Sequence, residues 1–158
     1  MADHDARAIA NEFLLRRADD AWPRQMYIQK LCHIANGWNL AINGEPLIRE
    51  LPEAWDNGPV FRSIWDHIKS FGYRGEYNTL VDPKTDSVIR ENITEDEQKV
   101  IDRVWSKYGH LGASTLSKLT HEANSPWEKA YFSRGRNANL SMEDIREHYI
   151  DLALAGRG

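Results

Sequence analysis

A chain of 158 residues fits one domain, which can bury roughly 68–70% of the surface its unfolded form exposes. With 41% hydrophobic residues, six Trp, six Tyr and four Phe, the composition excludes whole-chain disorder and supplies a core without disulfide staples. A net charge of -4 weighs against non-specific binding to nucleic acid, and no apolar run approaches the roughly 18 residues of a membrane span.

Ala6, Ile9, Ala10, Phe13 and Leu14 share one helical face, which predicts a first helix ending near Arg17. A second helix is expected from about Pro23, with Tyr27, Leu31, Ile34, Ala35 and Trp38 on its buried stripe. Its Cys32, the only cysteine, reads as core filler and points to a reducing compartment. Residues 1–20 mix acids, bases and apolar side chains, unlike a secretory signal, so the expected location is the cytoplasm. Asn43-Gly44 is a turn, and Pro46 and Pro52 bracket an extended connection.

Asn57-Gly58-Pro59 stops and restarts the chain, with Pro59 expected in the first turn of a helix bearing Val60, Phe61, Ile64, Trp65 and Ile68. Tyr77 to Val81 and Ser87 to Glu91 flank the turn-rich Asp82 to Asp86, which predicts the molecule's one small β-hairpin. Thr94 with Glu97 forms a capping box for a helix presenting Val100, Ile101, Val104, Trp105 and Tyr108, ended by a glycine C-cap at Gly109. A short helix follows from about Ser114 to His121, and Ser125 with Glu128 forms a second capping box around Pro126. Residues 133–139 read as a loop, and Ser141 caps a last helix carrying Met142, Ile145, Tyr149 and Leu152. The expected fold is mainly α, a compact single domain over residues 1–158 of about seven helices with one small β-hairpin.

The six histidines form no metal-binding pair, HExxH is missing and Cys32 has no second thiol beside it. His33 follows Cys32 directly, but consecutive helical residues point about 100° apart, so they cannot act as nucleophile and base. Asp3-His4-Asp5 is expected to fray. No phosphate-binding glycine loop occurs, and no catalytic residue, cofactor or metal is expected. Val100 to His121 has the outline of a helix-turn-helix, but its second helix offers only Lys118 as a basic residue, so DNA reading is the runner-up. The tryptophans read mostly as core, with any exposed ring available to anchor a partner.

Three stretches then fall into a known pattern: Lys30-Leu31 to Ala35-Asn36-Gly37-Trp38; Glu53-Ala54-Trp55-Asp56-Asn57-Gly58-Pro59-Val60; and Leu119-Thr120-His121 to Ser125-Pro126-Trp127. Together they resemble the Panacea domain, the SocA-like antitoxin family, over roughly residues 24–149. The resemblance implies a protein that neutralises a cognate toxin by direct contact, with a protease or chaperone system as a further partner, and it brings no enzymatic residues. Trp38, Trp55, Gly58, Pro59, His121, Ser125, Pro126 and Trp127 match its motifs and are expected to be mainly structural. Cys32-His33-Ile34 and Asp56-Asn57 depart from the family's usual residues. That departure makes His33, Asp56 and Asn57, with Arg134 and Arg136 of the polar loop, candidate partner contacts.

Overall fold

The computed structural model describes residues 3–17, 25–75 and 77–156. Among them are seven helices, α1 (Ala6–Leu14), α2 (Gln25–Asn43), α3 (Arg62–Phe71), α4 (Glu95–Tyr108), α5 (Ala113–Thr120), α6 (Pro126–Arg134) and α7 (Met142–Leu154). One antiparallel pair, β1 (Glu53–Trp55) with β2 (Gly58–Val60), completes a mainly helical fold. The expected helix start at Pro23 lies outside the described residues.

α2 is the axis of the molecule. Every residue from Ile28 to Leu40 is buried, and α1, α3, α4, α5, α7 and β2 pack around it. A helix enclosed on all sides is normally apolar all round. α2 instead carries Gln29, Asn36 and Asn39, each bonded to the backbone of an irregular segment. Asn36 Oδ1 accepts from the amides of Leu47 and Ile48 at 2.8 and 3.1 Å. Asn39 donates to the Glu45 carbonyl at 2.8 Å, and Gln29 both accepts from the Phe61 amide and donates to the Phe61 carbonyl, at 2.8 and 3.2 Å. Asn11 of α1 does the same for the carbonyls of Leu80 and Ile89, each at 2.8 Å. Loops can thus cross the interior because side-chain amides satisfy their buried peptide groups. At Gly37 the reason is space: a Cβ there would lie 2.2 Å from the Tyr149 ring of α7.

Chain chemistry sets the helix ends. Thr94 and Glu97 form the expected capping box, and the hydroxyls of Ser125 and Ser141 accept from Glu128 and Asp144 amides. The second box is only half formed, because Glu128 takes the Asn124 amide at 3.0 Å. Gly109 closes α4 with a right-handed φ of -63°, so tight packing on Trp105, not a left-handed cap, explains the glycine.

The hairpin and Pro59 are placed differently from expectation. The hairpin lies at 53–60, while 77–91 makes only the isolated bridges Arg74↔Thr79 and Val81↔Val88. Pro59 sits in β2 opposite Ala54, and α3 begins at Arg62. Its place is tolerable because proline, lacking an N–H, suits an edge strand. β1 is flanked on its other side by the 137–140 segment: the Ala54 amide donates to the Ala138 carbonyl and the Asn137 amide to the Ala54 carbonyl, each at 2.7 Å.

His4 is not frayed. Its amide donates to the Leu47 carbonyl at 2.8 Å and its carbonyl accepts from the Arg49 amide at 2.9 Å. Its ring nitrogens face Glu91 Oε1 at 2.8 Å and Glu97 Oε1 at 3.0 Å. Burial opposes the charged ring, but the bonds to Glu97 and Glu91 outweigh it and hold the imidazole above its ordinary pKa.

Candidate functional site

The 53–60 hairpin is where the chain's recognisable residues converge. Its turn is Asp56-Asn57, and the positive φ of 114° that closes it falls on Gly58. Three side chains from three helical regions hold its backbone carbonyls. Trp127, in the first turn of α6, donates its indole N–H to the Trp55 carbonyl at 2.6 Å. His121, the C-cap of α5, sets Nε2 3.2 Å from the Asp56 carbonyl, with Nδ1 2.5 Å from Ser117 O. Lys30, from the middle of α2, donates to the Pro59 carbonyl at 2.8 Å. Lys30 is fully buried, and loss of hydration pushes its amine down to about 7. Gly58 leaves room for it, since a Cβ there would stand 2.6 Å from Lys30 Cε and 3.1 Å from His121 Cε1.

Outside this clamp the hairpin tip meets solvent. The Asp56 carboxylate accepts from the Tyr131 hydroxyl at 2.7 Å and from Arg136 Nε at 2.9 Å, with Arg136 Nη2 on its second oxygen. The Tyr131 hydroxyl and then Arg136 hold this exposed carboxyl below its usual range. Tyr131 stacks on Trp127 with ring centres 4.8 Å apart. Phe132 stands edge-on to Tyr131 at 5.1 Å and is 73% exposed. On the opposite flank Trp55 meets Trp65 edge-on at 4.8 Å, and the Arg62 guanidinium lies 5.4 Å over the Trp55 ring.

Of the expected motif residues, Trp55, Gly58, Pro59, His121 and Trp127 meet at this clamp, while Ser125 and Pro126 start the helix that carries Trp127. Trp38 lies elsewhere, buried against Tyr149 with ring centres 5.2 Å apart. Asp56, Asn57, Arg134 and Arg136 are exposed on or beside the tip, with Arg134 donating to the Asn139 carbonyl at 2.9 Å. His33 is different: it is 2% exposed in α2, and burial, with the charges of Lys30 and His148, holds its ring neutral, pushed down to about 3. A ring so enclosed presents nothing to a partner. Lys30, Tyr131 and Phe132 join the site without having been singled out for it; a lysine within the apolar stretch of a helix is the one sequence signal that marks the first.

The family of SocA-like antitoxins with a Panacea domain matches residues 28–128, from the buried start of α2 to the first turn of α6. This chain belongs to that family. The hairpin and all three residues of its clamp lie inside the matched span. The chain is also similar to the antitoxin SocA of Caulobacter vibrioides (strain NA1000 / CB15N), 29% identical over 143 residues that cover 87% of this chain and 76% of the relative. No solved structure matches it. Among the described residues no helix is long and apolar enough to cross a membrane.

Proposed function

We propose that this protein is a cytoplasmic antitoxin that neutralises a cognate toxin by direct protein contact, without catalysis. Membership of the antitoxin family across residues 28–128 is the observation that carries this reading. The clamped hairpin supports it physically, because a surface held rigid before binding loses less entropy on association. Asp56, Asn57, Arg134 and Arg136, with the exposed Phe132, form the proposed contact, and arginine and aromatic rings are favoured interface anchors. The bound toxin is then masked or handed to a protease or chaperone system. No cofactor or metal enters the proposal.

Co-expression of the neighbouring gene with and without this chain tests the proposal. The expected outcome is growth arrest by the neighbour alone, relief by this chain, and co-purification of the two. A neighbour that is harmless, or one whose toxicity persists beside this protein, overturns it. The DNA-binding alternative draws little support from α5, whose exposed positions Ser114, Thr115 and Lys118 offer one cation to a groove.

A further inference from the structure

We infer that a second part of the partner, an amphipathic helix with acidic residues along one edge, seats in the groove between α4, α5 and α7. The inference rests on the antitoxin reading and adds a surface distinct from the hairpin tip. The groove has a volume of about 410 Å³ and is lined by Ile34, Leu111, Leu119, Tyr149 and Leu152. That is within the roughly 300–1,000 Å³ of ordinary binding clefts, and an apolar trough between helices is the setting in which helical segments dock.

Charge selects the occupant. Lys99, Arg103 and Lys107 are exposed at four-residue spacing on α4 and so form one basic row, on a chain whose net charge is -4. One residue further along, Val100 and Val104 turn into the core, and Tyr108 is half-buried at the edge of the groove. Lys107 and Tyr108 border the groove and also a neighbouring small depression lined by Trp38, Arg103 and Ile42, the last 56% exposed. The apolar floor of the groove beside this basic row fits a helix carrying an apolar stripe beside carboxylates. Glu122 and His148 stand in the same lining. Nucleic acid suits the basic row but gains nothing from a leucine-lined floor.

The groove also adjoins the hairpin clamp. Leu119, Thr120 and Glu122 line it, while His121 in the same turn reaches the other way to the Asp56 carbonyl. One partner can therefore bridge α5 and touch both surfaces.

The test uses the full chain and the purified product of the neighbouring toxin gene. Leu119→Asp and Leu152→Asp are expected to weaken their binding at least about 30-fold, the loss typical of a central interface anchor. Lys107→Glu, at an exposed position, is expected to weaken it roughly 10-fold, chiefly through slower association, with the difference shrinking in high salt. A photo-crosslinking residue at position 152 is expected to mark an acidic, helix-forming segment of the toxin. Melting curves identify any aspartate variant that fails to fold, in which case Lys107→Glu and the crosslink decide.

Toxin binding that all three substitutions leave unchanged overturns the groove alone. So do crosslinks that form from position 132 but not from 152. Gel shift of the upstream DNA that Lys107→Glu abolishes, with toxin binding intact, assigns the row to nucleic acid and overturns the groove too. Failure of the parent protein to bind the toxin removes the antitoxin reading and the groove together.

Discussion

Segments 53–60 and 77–91 both leave the helical frame, turn and come back, but they are held in different ways. In the first, each strand has only three residues, yet Lys30, His121 and Trp127 hold its carbonyls and the 137–140 segment pairs with its outer edge. In the second, Val81, Val88 and Ile89 favour strand, but Asn11 secures only its base, at Leu80 and Ile89. Its tip is tied to itself: the Asp82 amide donates to Ser87 O and the Asp86 amide to Asp82 O, both at 2.8 Å, and residues 83–88 are exposed. A two-stranded ribbon has little stability of its own. Cover by neighbouring elements, more than strand propensity, decides which of the two pairs.

Trp127→Ala should show the contrast most strongly. Its ring is 8% exposed, so the cavity and the lost bond to Trp55 should lower stability by about 3–5 kcal/mol, read from denaturant melts. Trp127→Phe, which keeps most of the ring volume, should cost about 1–2 kcal/mol for the hydrogen bond. Equal losses would mean that the indole N–H is the whole of the clamp.

Lys30 gives a signature in pH. Its amine titrates near 7 in the fold against 10.5 ordinarily, so between those values the unfolded chain holds the extra proton. Stability should therefore rise with pH across that window, by on the order of 4 kcal/mol in total, and Lys30→Met should remove that rise. A parent and variant with parallel pH profiles would contradict an amine whose pKa burial depresses.

His4 acts in the opposite sense. Its folded pKa is raised, so its stabilisation is full below 6.5 and is lost as pH climbs through the folded value. His4→Gln should cost about 1–2 kcal/mol at pH 6 and less at pH 8. A cost that does not change with pH would show that the ring is held neutral. At the tip of the other segment, Val88→Ala, 37% exposed, should change stability by no more than about 0.5 kcal/mol.

Helices were legible where local chemistry marks them. The stripe of α1 and the caps of α4, α6 and α7 need no knowledge of the rest of the chain. The hairpin was misplaced because Pro59 reads equally as a helix start, whereas Asn57-Gly58 between Glu53-Ala54-Trp55 and Val60 is the commoner sign of a tight hairpin. At the site, Trp55, Gly58, His121 and Trp127, expected to be mainly structural, lie around one turn. Which of them touch was not legible, since Lys30 reaches Pro59 across 29 residues and Trp127 reaches Trp55 across 72. His33 is expected as a contact because it departs from the family's usual residues, a signal that does not distinguish a buried position of α2 from an exposed one.

Native-state hydrogen exchange tests the central claim, that side chains of α2, α5 and α6 build the hairpin into the core while the tip of the second segment stands outside it. The account predicts that the Ala54 amide exchanges only with global unfolding. The Asp82 amide should exchange by local opening that costs at least about 2 kcal/mol less. Equal protection of the two amides, or faster exchange at Ala54, would contradict it.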